Sequence, residues 1–160
     1  MRMQLPSSAF FLAGFLCCNF LGSAQDIDFT LVSGAREDIS GAVSGMTQDS
    51  QGFLWLATDN GLYKYNGYEY NSYHHQPSNP NSPADDKITC VTADKAGYIW
   101  LAPYLSGLDR LDPATGTFVH FRHNNNDPSS LAINGVSVII QDHEGTIWIG
   151  TDGGLDKFDS

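Results

Sequence analysis

Short apolar runs separated by polar turns recur along the chain from Val43 onward. One kind is apolar on both faces, as in Phe53, Leu54, Trp55, Leu56 and again in Ile147, Trp148, Ile149. A half-exposed strand would alternate, so these strands must be covered on both sides. Each is preceded by an apolar segment ending in Asp: VSGMTQD from Val43, ITCVTAD from Ile88 and VSVIIQD from Val136. An Asp-x-x-Gly hairpin joins the two runs, at Asp49 to Gly52, Asp94 to Gly97 and Asp142 to Gly145. There the Asp side chain can accept from turn amides and the Gly supplies a positive φ. A third strand opens with Gly-Leu at Gly61, Gly107 and Gly154, then alternates, as in Leu62, Tyr63, Lys64, Tyr65. A fourth carries aromatic pairs three residues apart, Tyr70 with Tyr73 and Phe118 with Phe121.

The pattern is a repeat. Gly52, Gly97 and Gly145 stand 45 and 48 residues apart, and Trp55, Trp100 and Trp148 keep the same steps. The connections match as well, since PNSPADDKI from Pro80 and PSSLAINGV from Pro128 share Pro, Ser and Ala at an offset of 48. A four-stranded antiparallel unit of about 45 residues, apolar on both faces, is what a β-propeller blade requires. The expected fold is therefore all-β: a partial β-propeller of about two and a half four-stranded antiparallel blades stacked as an open arc, a solenoid or sandwich being the other choices. Blade 1 is read over 42–75, blade 2 over 88–123 and an incomplete blade 3 over 135–160, with Pro-, Asn- and Ser-rich connections at 76–87 and 124–134. The 25–41 segment is left to supply a strand to a closing blade.

Residues 1–24 read as a secretory signal: Arg2, then the apolar AFFLAGFLCCNFL, then the small residues Gly22, Ser23 and Ala24. The apolar stretch is short of the roughly 20 residues that span a bilayer. Export with cleavage to the periplasm or exterior is expected, with no membrane insertion afterwards. The full sequence has 18 acidic against 8 basic side chains, a net charge of −10, which argues against nucleic acid and anionic membranes as partners. Two of the three cysteines lie in the signal, so Cys90 has no internal disulfide partner and the core alone must hold the fold.

The run Asp142, Gly145, Trp148, Ile149, Gly150, Thr151, Gly154, Leu155 resembles the two-component regulator propeller repeat. That family occupies the extracytoplasmic sensor halves of bacterial hybrid histidine kinases and some diguanylate cyclases. The resemblance implies a ligand-sensing, non-catalytic module, here an N-terminal part without an output domain. In such receptors many repeats build two propellers, followed by a tyrosine-rich immunoglobulin-like domain, a membrane helix and signalling domains. The ligands it implies are glycan fragments, and the partners small molecules or oligosaccharides, plus further blades or another copy of the chain to complete the ring. No cofactor is implied.

Residues common to every unit serve the blade. On that rule Asp49, Gly52, Trp55 and Gly61, Asp94, Gly97, Trp100 and Gly107, and Asp142, Gly145, Trp148 and Gly154 are structural. Cys90, aligned with Gly45 and Val138, reads as a small buried filler. The second unit departs most: Pro103-Tyr104-Leu105-Ser106-Gly107 replaces Thr58-Asp59-Asn60-Gly61 and Thr151-Asp152-Gly153-Gly154, one residue longer. Loops on one rim of a rigid scaffold are where ligands tend to bind. The candidate site residues are accordingly Tyr104, to stack on a sugar ring, with Asp59, Asn60, Ser106 and Asp152 around it to bond hydroxyls. His74, His75 and His123 with Asp127 lack supporting ligands at zinc spacing and read as solvated loop residues, and HNNND from His123 reads as a polar linker. No calcium or phosphate loop occurs.

The competing reading is a propeller enzyme acting on glycans, a sialidase-like hydrolase or a lyase. Sialidase Asp boxes resemble Ser-x-Asp-x-Gly-x-x-Trp, with one residue between Asp and Gly where all three copies here have two. An arginine cluster is also missing, since Arg110 shares its repeat position with Lys64 and Lys157. An adhesive or scaffold propeller is the third reading.

Overall fold

The computed structural model describes residues 28–30 and 39–159. The export signal read over 1–24 and most of the 25–41 segment lie outside them. Residues 28–30 belong to a separate unit, Met1–Leu31, and are exposed without regular structure. In the second unit, Val32–Ser160, all regular structure among the described residues is strand.

Strands β1 (Val43–Gln48), β2 (Leu54–Thr58), β3 (Gly61–Tyr65) and β4 (Tyr70–Tyr73) form one antiparallel sheet in chain order. β5 (Ile88–Ala93), β6 (Ile99–Pro103), β7 (Leu108–Asp112) and β8 (Thr117–Phe121) form a second. β9 (Val136–Gln141), β10 (Ile147–Thr151) and β11 (Gly154–Phe158) form a third. These are two complete propeller blades and three strands of another.

The doubly apolar strands lie inside, as their composition requires: β6 is buried at every residue and β2 at all but the first. Trp55 shares a core with Ile88 and Val91 from the next blade, and Trp100 with Val136 and Ile139 from the one after. Blades 1 and 2 thus each offer their Trp to the first strand of the next blade. Truncating either Trp to Ala should cost about 3–5 kcal/mol. The aromatic pairs on the outer strand follow from strand geometry, because residues three apart point to opposite faces. Phe118 meets Tyr73 of blade 1, whereas Phe121 stacks on Trp100 and meets Phe158 of blade 3.

The Asp-x-x-Gly hairpins close as their chemistry dictates. Asp49 Oδ1 accepts from the amides of Gln51 and Phe53 at 3.0 Å, and Gly52 turns the chain at φ 90°. The second carboxylate oxygen accepts from the indole N–H two turns of pleat away, Trp55 at 2.8 Å, Trp100 at 2.7 Å and Trp148 at 2.8 Å from their respective Asp residues.

One regularity breaks the alternation of the first strands. The register slips at the same place in each, so that Ser44, Thr89 and Ser137 are bulged out of the ladder. The bulge re-aims the hydroxyl. Ser44 Oγ donates toward Ala57 O at 3.1 Å and Ile88 O at 2.5 Å; Thr89 Oγ1 toward Ala102 O at 3.0 Å and Val136 O at 3.1 Å. The inner strands of neighbouring blades are joined through these hydroxyls and through Thr92 Oγ1, which donates to Ile139 O at 2.7 Å.

Candidate functional site: the rim of interblade connections

The loops between second and third strands share a rim with the connections that enter the first strands. Gly61 N donates to Asp86 O, Tyr104 N to Lys87 O, Gly107 N to Asn134 O and Asp152 N to Gly135 O, all at 2.6–3.0 Å. All five candidate residues lie on this rim, yet two have local tasks. Asp59 Oδ1 accepts from Ala42 N at 2.9 Å, and a Cβ at Gly41 would run into that carboxylate. A Cβ at Gly135 would likewise meet Asp152. Both carboxylates therefore sit over the glycine that leads into the first strand of their blade. Asn60 N is held by Thr58 Oγ1 at 3.0 Å, and the same hydroxyl donates to Gly61 O.

The longer loop of blade 2 has Pro103 where the others have Thr, so this hydroxyl turn cannot form. Leu105 instead takes a left-handed φ of 51°, and Ser106 N closes on Pro103 O at 3.0 Å. The β6 to β7 pairing shrinks to three residue pairs, against five in the corresponding hairpin of blade 1. Tyr104 is exposed, with the Lys87 ammonium 4.0 Å from its ring centroid, so one face of the ring is taken by a cation. Ser106 Oγ donates to Tyr104 O at 3.2 Å.

The connections are more ordered than polar linkers. Ser82 Oγ sits among Gln76 O, Asn79 O and Pro83 O and accepts from Gln76 N at 3.0 Å. Ser130 Oγ repeats this with Asn124, Asp127 and Leu131, an offset of 48 throughout. His75 Nδ1 lies 2.7 Å from Pro83 O and His123 Nδ1 2.7 Å from Leu131 O, one more matched pair. His75 and His123 are thus hydrogen-bonded parts of the turn, which corrects the view of those two as simply solvated, whereas the His74 ring is partly exposed 3.6 Å from Asp86. The Leu131 carbonyl, with Asn125, raises His123 above the ordinary imidazole value, and the Ser129 hydroxyl and amide lower Asp127. Among the described residues no cluster of His, Cys, Asp and Glu is arranged to hold a metal ion.

Sequence reasoning passed over a buried, fully bonded carboxylate on this rim. Asp109, on β7, is fully buried. Its Oδ2 accepts from Ala84 N at 2.8 Å, and its Oδ1 accepts from His120 Nδ1 at 2.7 Å and Arg122 Nη1 at 3.1 Å. His120 Nε2 lies 2.9 Å from Pro80 O. Asp156 holds Ala132 N in the same way at 3.0 Å, so an Asp here clamps the preceding connection. His120 and Arg122 do not recur: the register puts Ser72 opposite Tyr63 where His120 stands opposite Asp109. An alignment of the third and fourth strands of the blades, in register, would have exposed that departure. An Asp–His pair is a familiar orienting arrangement in general-base catalysis. Here both ring nitrogens are engaged, the second by a main-chain carbonyl, and among the described residues no hydroxyl or thiol bonds to the ring.

Cys90 lies between blades 2 and 3, and desolvation pushes its thiol up to about 11 despite bonds from Thr89 and Ile139 that oppose the shift. A thiol so placed is inert at neutral pH. Two concavities flank Arg122 and His120. One, of about 380 Å³, is formed with the 75–84 connection; the other, of about 610 Å³, lies between the 127–131 connection and β11.

Residues 38–60 and 130–153 match the family described as two component regulator propeller. The extracellular domain of a hybrid two component system from B. thetaiotaomicron is similar to this chain at 29% identity, TM-score 0.63, over 73% of this chain and 18% of that one. PorZ, a surface component of the type-IX secretion system of Porphyromonas gingivalis, is similar in fold at 22% identity, TM-score 0.60, over 76% and 18%. A virginiamycin B lyase from Staphylococcus aureus shares the fold at 17% identity, TM-score 0.50, over 74% and 41%. No curated protein matches the chain. The chain spans less than a fifth of the length of the first two of these structures. Over residues 38–60 and 130–153 the repeat is similar to that of the two component regulator propeller family.

Proposed function

We propose that this stretch of two component regulator propeller repeats works outside the cytoplasm as part of the ligand-sensing region of a signalling receptor, without catalysis of its own. The observation that carries this is the similarity, in repeat and in fold, to the extracellular domain of a hybrid two component system. The rim supports a carbohydrate-like ligand. It combines an exposed aromatic ring at Tyr104 with exposed Asn- and Ser-rich connections that buried or half-buried Ser hydroxyls hold in shape. Polar groups held in place by their own backbone lose little entropy on meeting sugar hydroxyls. Of the five rim candidates, Tyr104 is the first to test, since Asp59 and Asp152 also hold the blade entry.

The experiment is a binding screen of the full chain against neutral and acidic oligosaccharides by calorimetry, with Tyr104→Ala in parallel. Saturable binding by one class, weakened by about tenfold in the variant, supports the reading; that is the loss expected of one aromatic stacking contact. Turnover of any member of the panel would sink the non-catalytic part. Binding by none would sink the carbohydrate part.

A further inference from the structure

We infer that the concavity between the 75–84 connection and Arg122 is a binding site for a small carboxylate-bearing ligand. The inference rests on the ligand-sensing reading above and names a ligand class and a site within it.

The chain carries 18 acidic and 8 basic residues, so most of its surface repels anions. This concavity is an exception. Its volume is about 380 Å³, and no Asp or Glu lines it; it is lined instead by Arg122, His120, His75, Gln76, Ser78 and three prolines among its neighbours. That volume falls at the low end of the range typical of small-molecule pockets. Of the carboxylates that bond to its lining, Asp109 is fully buried with both oxygens used by Ala84, His120 and Arg122, and Asp86 accepts from His75 N at 2.7 Å.

Asp109 also sets the guanidinium. Arg122 spends only Nη1 on the protein, toward Asp109 Oδ1, Phe121 O and Leu108 O. Among the described residues its Nε and Nη2 make no hydrogen bond, and about a third of the side chain is exposed. A planar fork with one arm fixed and two donors free is suited to bind a carboxylate side-on. Gln76 Oε1 accepts from Asn79 at 2.9 Å, which leaves the Gln76 amide N–H groups available, and the prolines supply an apolar wall. His120, fixed between Asp109 and Pro80 O, keeps the connection against β8 and holds the concavity open. Neither His120 nor Arg122 has a counterpart in blade 1, where Ser72 and His74 occupy those positions. A role in the common architecture of the blade does not account for them.

The test uses the full chain and three probes: glucuronate, glucose and inorganic sulfate, followed by NMR at the backbone amides of 76–84 and at the Arg122 Nε–H. Saturable shifts with glucuronate and none with glucose are expected. Arg122→Gln should weaken glucuronate by about tenfold or more, the scale of one charge-assisted bidentate contact. Ser78→Trp, a change at an exposed loop position that fills the concavity, should abolish the shifts with the fold intact. Equal shifts with glucose, no shifts with glucuronate, or shifts retained in Ser78→Trp would each overturn the inference. Sulfate binding as tightly as glucuronate would also overturn it, by reducing the site to a general anion contact. Because the oligosaccharide screen includes neutral members, the sensing reading can stand while this inference fails.

Discussion

Trp100 donates its indole N–H to Asp94 at 2.7 Å, from a ring that is almost wholly buried to a carboxylate that is buried as well. The same carboxylate accepts from Tyr98 N at 2.9 Å. One side chain therefore closes the hairpin and satisfies the only polar atom of the largest core residue in its blade. Two jobs on one carboxylate explain why the Asp and the Trp travel together through all three repeats.

Asp94→Ala should consequently leave the Trp100 N–H buried and unpaired. The expected loss is about 1–3 kcal/mol for the orphaned donor alone. Urea unfolding followed by tryptophan fluorescence would measure it. Asp142→Ala, at the third copy, should cost less, because Trp148 is only partly buried and its N–H can turn to water. Equal losses at the two sites would show that the bond, rather than the burial around it, sets the cost.

The third copy makes a prediction about pH. The Trp148 indole bond lowers Asp142 below the ordinary carboxylate value, with desolvation opposing it and the turn amides adding to it. A folded value lower than the unfolded one contributes stability that is present above the ordinary value of about 3.9 and is lost as the pH falls through the folded value. Carbon-detected NMR titration should place Asp142 below an unstructured Asp. In Trp148→Phe the value should move back up, and no movement would remove the indole as the cause.

The blade was readable in the sequence because its signals are local and repeated. Trp55, Trp100 and Trp148 each follow their Asp by six residues, and the runs around them are too apolar for a one-faced strand. The bulges at Ser44, Thr89 and Ser137 were not readable, since a single unpaired residue leaves the apolar pattern of the strand almost unchanged, while at Ser44 and Thr89 it turns the hydroxyl toward the next blade. Asp109, His120 and Arg122 were hidden for another reason. Their partners Pro80 and Ala84 come from a connection some 25 to 40 residues earlier, and only the sheet register brings them together. The rim candidates came from a length difference between loops, which locates a loop and says little about which side chains are already committed.

Cys90 offers a check on interblade packing. With its thiol raised to about 11 by desolvation, almost none is thiolate near neutral pH. Alkylation by iodoacetamide at pH 8 should be slow in the folded chain and fast in urea, read by mass spectrometry. Rapid labelling of the folded chain would mean that blades 2 and 3 separate readily around this residue.

Asp109 is fully buried, and removing its carboxylate strands two donors of blade 2 and frees the amide of Ala84. Breaking a buried ion pair by deleting one partner costs about 3–5 kcal/mol when both are desolvated; His120 and Arg122 are each about a third exposed, so about 2–4 kcal/mol is expected here. Asp109→Asn keeps the shape and a carbonyl acceptor but loses the charge, and should cost less than Asp109→Ala.

The bulged hydroxyls can be tested by removing one without changing its shape. Thr89→Val keeps the branched side chain and deletes the proton shared between Ala102 O of its own blade and Val136 O of the next. The change should destabilise by about 1 kcal/mol, the usual net worth of one such bond. Thr117→Val is the control, because its hydroxyl bonds only to Thr115 on an exposed turn, and it should be near neutral. The informative readout is local. Amide exchange at Val136 to Ile139 should quicken in Thr89→Val more than exchange within β5 to β8, since the lost bond joins blades and no strand ladder is broken. Uniform quickening across both sheets would instead place the hydroxyl in the stability of its own blade.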